Sequence, residues 1–153
     1  MTPMLQVASV TKAFTMHLQG GLRLPVVEGV SFDVHPGECV VLSGPSGAGK
    51  SSILKMIFGN YRCDAGNIAV RHLGTVVDMA SAEARAVLNM RKKTIGYVSQ
   101  FLRAVPRVAA LDVVAEPLIA AGVVREEARR QAQSLLRRLN IPERLWTLPP
   151  STF

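Results

Sequence analysis

The chain has 153 residues, 48% of them hydrophobic and 19% charged, with a net charge of +7 and two cysteines. This composition is typical of a globular domain and excludes a disordered chain, and the cysteines are too few for a disulfide scaffold or a metal framework. No apolar run is long enough for a membrane span, and the N-terminus lacks the features of a secretory signal, so we expect a cytoplasmic chain without membrane insertion.

The first elements in chain order are β-strands. A β-like run covers Leu5–Val10, and the looser alternation of Pro25–Val34 predicts a second strand that bends near Gly29. After a turn, the apolar run Cys39–Leu42 is typical of a buried parallel strand, which predicts that Cys39 lies in the core.

A glycine-rich loop follows and leads into a helix that we expect to begin at about Gly49. Apolar residues recur after it at helical spacing, and Gly59 and Asn60 suit the C-terminal end of the helix.

The middle of the chain predicts two short strands and a helix between them. The strands are expected at Ile68–Val70 and Ile95–Val98. Ser81 is a plausible N-cap for a helix over Ala82–Arg91.

The last third predicts helices, one from about Ala110 and one over Arg125–Leu139, before prolines 142, 149 and 150 end the regular structure. Because strands lead and helices follow, we expect an α/β fold with a helical portion at its end. Five arginines of the second helix, without interleaved aromatic residues, favour a solvated helix face over a nucleic-acid surface. The apolar face of this helix is predicted to include Ala128, Leu135, Leu136 and Leu139.

The glycine-rich loop matches every fixed position of the phosphate-loop pattern G-x-x-x-x-G-K-[ST]. Glycines let successive N–H groups point at phosphate oxygens, and the helix that follows directs its positive end at the same anion. Lys50 is expected to reach the β- and γ-phosphates of ATP, Ser51 to coordinate Mg²⁺ and Ser52 to donate to the α-phosphate. The predicted nucleotide-binding residues are Gly44, Pro45, Ser46, Gly47, Ala48, Gly49, Lys50, Ser51 and Ser52.

The stretch GECVVLSGPSGAGKSSILKMIFG resembles the start of an ABC-type ATPase domain, which implies that family's P-loop fold. The resemblance implies two further site residues. Gln100, at the end of YVSQ, matches the glutamine that senses the γ-phosphate and Mg²⁺, and Phe14 matches the aromatic residue that stacks on adenine.

Finer similarity points to the PhnL group, the ATP-binding subunits of bacterial phosphonate carbon–phosphorus lyase systems. It rests on the stretches RLPVVEGVSF, GECVVLSG, YVSQFLRAVPRVAALDVV and LNIPERLWTLPPSTF. The resemblance implies a cytoplasmic protein whose partners are ATP, a second ABC-type subunit and the lyase core, with no nucleic acid.

Several motifs of the family do not occur between residues 1 and 153. There is no Ser-Gly-Gly signature and no Walker B strand, since Thr75–Asp78 precedes Gln100 and lacks the second acid. His17, His35 and His72 also precede Gln100, unlike the family's switch histidine, so we expect them to be structural or surface residues. We therefore expect one truncated ATP-binding domain, residues 1–153, that ends just before the signature and holds no catalytic residue of its own.

Without the parallel strands that would flank the loop strand, Cys39–Leu42 and Ile95–Val98 are expected to have unpaired edges and exposed faces. The chain is therefore predicted to be marginally stable or prone to aggregation. Two alternative functions stay open: the nucleotide-binding subunit of an ABC transporter, and a fragment that binds nucleotide or a partner without hydrolysing ATP.

Overall fold

The computed structural model describes residues 2–100 and 106–152, with only the backbone of Gln19. Residues 101–105, inside one of the stretches quoted above, lie outside the described residues. The chain divides into two units, residues 1–97 and residues 98–153.

The first unit is built on a four-stranded antiparallel sheet in the order β2-β1-β3-β4. A 3-10 turn at His17–Gln19 joins the first two strands. The strands are β1 (Leu5–Met16), β2 (Leu22–Val34), β3 (Ala65–His72) and β4 (Thr75–Asp78).

The register of β1 against β2 shifts between Val7 and Ala13, where the strands bulge. Gly29 takes a φ of +61° on β2 in this region, a conformation that costs glycine little. Both predicted N-terminal strands and the bend near Gly29 are therefore confirmed, although the strands are longer than predicted.

The helix after the loop, α1 (Lys50–Ile57), packs its Ile53 and Met56 side chains into the core of this unit. It ends as predicted: Gly59 has a φ of +77°, and the amides of Gly59 and Asn60 donate to the carbonyls of Met56 and Lys55. A Cβ on Gly59 would lie 2.8 Å from Cγ1 of Val87. The core around α1 is formed by Val7, Val10, Val27, Ile53, Met56, Ile68, Val70, Met79 and Met90.

Two strand predictions are wrong. Neither Cys39–Leu42 nor Ile95–Val98 is a strand, and Cys39 is exposed instead of lying in the core. A β-strand requires hydrogen bonds to a neighbour, and neither segment is paired with the four-stranded sheet. Val41 and Val98 are 79% and 81% exposed, whereas Leu42 and Ile95 of the same runs are partly buried against the core.

The predicted N-cap at Ser81 is also wrong. The helix α2 (Ala84–Lys93) begins after Glu83, and the Ser81 hydroxyl donates to Asp78 Oδ2 at 2.9 Å. Asp78 is the last residue of β4, and its Oδ1 accepts from the amides of Ile68 and Ala80 at 2.9 and 3.0 Å. This carboxylate therefore accepts three hydrogen bonds, which close the turn after β4 and join it to β3.

The second unit contains α3 (Ala110–Ala120) and α4 (Arg125–Arg138), followed by 3-10 turns at Glu143–Leu145 and Pro150–Thr152. The expected helix bounds are confirmed to within a residue. The two helices pack around a small core with the indole of Trp146, whose Nε1 donates to the carbonyl of Ile141 at 3.0 Å.

The predicted apolar face of α4 is only half correct. Ala128, Ala132 and Leu136 are buried, whereas Leu135 and Leu139 are 46% and 70% exposed. The buried residues recur every four positions, which keeps them on one side of the helix, and Leu135 lies one position off that line.

Three of the five α4 arginines lie near carboxylates. Arg129 is 3.3 Å from Asp112, Arg137 is 2.9 Å from Glu143, and Arg130 pairs with Glu127. The pairs of Arg130 and Arg137 are exposed, as expected of a solvated helix face, and the absence of a nucleic-acid partner stays a prediction. Within residues 2–100 and 106–152, no helix has the length and apolar character needed to cross a membrane.

Candidate phosphate-binding site

The loop that precedes α1 is shaped by three glycines with positive φ. Gly44, Gly47 and Gly49 have φ values of +146°, +83° and +79°, which an L side chain rarely adopts. The chain thereby turns from residue 43 into the first turn of α1 at Lys50. The first amides of a helix have no intrahelical acceptor, so this turn presents free donors and the positive end of the helix dipole.

Gly49 fixes the loop against the sheet. The residue is buried, and a Cβ there would lie 2.4 Å from the carbonyl oxygen of Val26 and 2.9 Å from Cγ2 of Val27. Both contacts belong to β2, so the first turn of α1 is placed by its close approach to that strand.

The Lys50 side chain folds back over the loop. Its Nζ donates to the carbonyl oxygens of Gly44 at 2.8 Å and Pro45 at 2.6 Å. An ammonium group has three donors, so one remains for another acceptor. The loop thus holds a positive charge among its own backbone dipoles.

The loop and Phe14 line one cavity of about 460 Å³. A larger cavity of about 630 Å³ lies along α2, between Glu83 and Lys92. We take the smaller one as the candidate site because the helix N-terminus, a lysine and an aromatic ring converge there. Its lining residues are Phe14, Val26, Ser46, Gly47, Ala48, Gly49, Lys50, Ser51 and Ser52.

Eight of the eleven predicted site residues therefore lie together. Gly44 and Pro45 do not line the cavity, but their carbonyl oxygens accept hydrogen bonds from the Lys50 ammonium. Gln100 is an exposed residue of the second unit, and its role at the site stays a prediction.

Phe14 is supported by residues that the sequence did not single out. Its ring meets Tyr61 edge-on, with centroids 5.2 Å apart and planes at 75°, and Lys12 Nζ lies 5.5 Å from its centroid. Lys12 also pairs with Asp64 at 2.8 Å. The Lys12 hydrogen bond, helped by a backbone amide, lowers the pKa of Asp64 below its usual range. Tyr61 and Asp64 follow α1, and no sequence pattern links them to Phe14.

The histidines and the second cysteine take no part in the site. His72 is buried, with Nδ1 2.6 Å from the Thr94 hydroxyl and Nε2 3.1 Å from the Asn89 amide, whereas His17 is exposed. Burial raises the pKa of the Cys63 thiol, which makes it a poor nucleophile or metal ligand. The described residues include no group of three or more His, Cys, Asp or Glu side chains that could hold a metal ion.

A magnesium nucleotide fits the chemistry of the donors that are present. Free helix amides and the Lys50 ammonium suit phosphate oxygens, and no acidic side chain lies in the first turn of α1 to repel them. The Ser51 hydroxyl is a hard oxygen ligand of the kind that Mg²⁺ prefers.

Comparisons with known proteins find a matching family and several similar proteins. The family described as ABC transporter matches residues 27–151. The lipoprotein-releasing system ATP-binding protein LolD 2 of Caulobacter vibrioides is 43% identical over 122 residues, covering 80% of this chain and 52% of that protein. LolD of Hyphomonas neptunium is 34% identical over 149 residues, covering 97% of this chain and 62% of its own.

A similar solved structure is that of MJ0796, described as a dimeric bacterial ABC transporter cassette. It matches with a TM-score of 0.84 and 26% identity, covering 98% of this chain and 63% of that one. The chain thus spans between 52% and 63% of the length of these three relatives.

Proposed function

The chain belongs to the ABC transporter ATP-binding family and has its P-loop fold, and on this premise we propose that it is the nucleotide-binding subunit of an ABC transporter. The observation that carries the proposal is the cavity shared by the loop, the first turn of α1 and Phe14. An anion-binding end and an aromatic end suit a ligand with a polyphosphate and a flat base, such as ATP.

Each residue of the loop has a role in this proposal. An entering phosphate offers Lys50 a charged acceptor in place of the neutral carbonyls of Gly44 and Pro45, which makes a stronger hydrogen bond. Ser52 donates to the α-phosphate, and Ser51 holds Mg²⁺, which neutralises phosphate charge when bound. Gln100 is proposed to sense the γ-phosphate and the metal.

Hydrolysis is proposed for the assembled protein and not for residues 1–153 alone. These residues include no signature and no Walker B acid pair, and Asp78 is occupied by local donors. Phosphoryl transfer depends on groups that orient the attacking water and close over the γ-phosphate. The alternative of a non-catalytic nucleotide-binding fragment therefore stays open.

The names of the relatives bear on which system the subunit serves. LolD proteins belong to lipoprotein-releasing systems and MJ0796 to a transporter cassette, which supports a cytoplasmic subunit that acts as a dimer and docks on a membrane permease. The phosphonate alternative, with a C–P lyase core as partner, rests on the short PhnL-like stretches and is less well supported. Affinity purification from the native cell distinguishes the two, since it recovers permease subunits in one case and lyase subunits in the other.

Thermal unfolding with and without Mg·ATP tests the site. At about a hundred times its Kd, the ligand should stabilise the folded chain by roughly 2.7 kcal/mol. Lys50→Ala should abolish the shift, whereas Lys92→Ala, on exposed α2, should retain it. A folded wild-type chain that shows no shift would refute nucleotide binding, and ATP turnover lost in Lys50→Ala would refute the binding-only alternative.

A further inference from the structure

The segment after α1 is fastened to β1 beside Phe14. The Asp64 amide donates to the carbonyl oxygen of Thr11 at 2.8 Å. Asp64 Oδ2 accepts from the amide of Ala13 at 2.8 Å, and Oδ1 accepts from Lys12 Nζ at 2.8 Å. One carboxylate therefore holds the side chain of Lys12 and the backbone of Ala13, the two residues that precede Phe14.

The Phe14 ring itself is held by Tyr61. The two rings meet nearly at right angles, 5.2 Å apart, which is a favourable aromatic geometry. Tyr61 is in turn tied to α1, because its amide donates to the carbonyl of Lys55 at 3.3 Å and Lys55 Nζ lies 3.4 Å from its hydroxyl. A continuous chain of contacts thus runs from the helix that carries the phosphate loop to the ring proposed to stack on adenine.

We propose that Tyr61 and Asp64 are positioning residues that orient Phe14 for stacking on the nucleobase of the bound nucleotide. This inference rests on the proposed function. A half-exposed phenylalanine on a strand has several rotamers, and only some of them place the ring for stacking on the base. Excluding the other rotamers when the nucleotide binds costs conformational entropy. Tyr61 and Asp64 remove that cost in advance, because Tyr61 packs against the Phe14 ring and Asp64 holds the backbone amide of the neighbouring Ala13.

The test compares two probes that differ only in the nucleoside. Inorganic tripolyphosphate presents phosphates to the loop but has no base, whereas Mg·ATP uses both ends of the cavity. Tyr61→Leu removes the ring that meets Phe14 and should weaken Mg·ATP binding about two- to tenfold, with tripolyphosphate binding unchanged. Tyr61→Phe keeps the ring and should bind ATP like wild type.

A matched control and a double-mutant cycle separate positioning from general stability. Phe58→Leu removes a ring from another aromatic pair, with Tyr97 at 5.1 Å, and should leave the ATP-to-tripolyphosphate affinity ratio unchanged. In a Phe14→Leu background, Tyr61→Leu should no longer alter ATP affinity, because the ring that it orients is gone. Asp64→Asn keeps a hydrogen-bond acceptor for the Ala13 amide but loses the ion pair with Lys12. It should therefore also lower the ATP-to-tripolyphosphate affinity ratio.

Three results would refute the positioning role of Tyr61 and Asp64. Loss of ATP and tripolyphosphate binding in parallel, an unchanged ratio in Tyr61→Leu, or an effect that persists without Phe14 would overturn the inference. If Tyr61→Leu does not fold, the ratio in Asp64→Asn decides it. A wild-type chain that binds neither probe would refute the proposed function itself, whereas binding of both probes with silent variants would refute only the positioning role.

Discussion

Replacing Gly49 by alanine should destabilise the first unit through two separate effects. A non-glycine residue at the observed φ of +79° costs about 1–2 kcal/mol, because its Cβ crowds its own backbone. The new Cβ would also lie 2.4 Å from the Val26 carbonyl oxygen, a backbone atom that cannot swing away as a side-chain tip can. Overpacking of this kind costs about 1–3 kcal/mol, so the free energy of unfolding should fall by roughly 2–5 kcal/mol.

Gly47→Ala is the matched control for this variant. Its φ of +83° is nearly the same, but a Cβ there meets no atom within 4 Å. The control should show only the conformational cost, so the two variants should differ by about 1–3 kcal/mol.

Urea unfolding followed by far-UV circular dichroism measures the difference. Fluorescence is unsuitable, because the one tryptophan, Trp146, lies in the second unit. Equal urea midpoints for the two variants would show that α1 moves away from β2 at little cost, and the argument from close approach would then be wrong.

Three further predictions concern other parts of the chain. The pKa of Asp64 is lowered in the folded chain, so its ion pair with Lys12 stabilises the fold at pH values above the unfolded pKa of about 4. This stabilisation is lost as the pH falls and the carboxylate is protonated. The urea midpoints of wild type and Asp64→Asn should therefore converge in acid. Trp146→Phe leaves the carbonyl of Ile141 without its indole donor and should lower the free energy of unfolding, measured by circular dichroism, by about 1–3 kcal/mol. Val41 is 79% exposed, so Val41→Lys should change the free energy of unfolding by less than about 0.5 kcal/mol. The same variant should raise the soluble concentration measured by sedimentation. An unchanged solubility would contradict the aggregation hypothesis.

The parts of the site that depend on local sequence were predictable. The glycine and lysine positions of the loop are set by backbone conformation and by proximity in the chain, so the motif and the serine after it include the seven loop residues that line the cavity, Ser46 to Ser52. The end of α1 at Gly59 and Asn60 was predictable for the same reason. The contact of Tyr61 with Phe14 was not, because it joins distant parts of the chain and leaves no periodic signal.

The wrong predictions arise where structure depends on neighbours. The apolar run Cys39–Leu42 is strand-like by composition, but pairing requires a partner strand, which composition does not report. On α4, the predicted apolar face includes Leu135 and omits Ala132, although the small Ala132 is the residue that joins the core with Leu111 and Ala115 of α3. The finer resemblance to the PhnL group stays a prediction, since short stretches shared within a large family do not separate one subgroup from another.

The two glycines that bound α1 limit how its length can vary. Gly49 approaches β2 and Gly59 approaches Val87 of α2, each too closely for a side chain. Inserting one residue between Gly49 and Gly59 would rotate one glycine relative to the other by about 100° around the helix axis and shift it by about 1.5 Å along that axis. The two close contacts could then not both be kept. Insertions and deletions should therefore be excluded from residues 50–58, while exposed positions such as Leu54 remain free to vary.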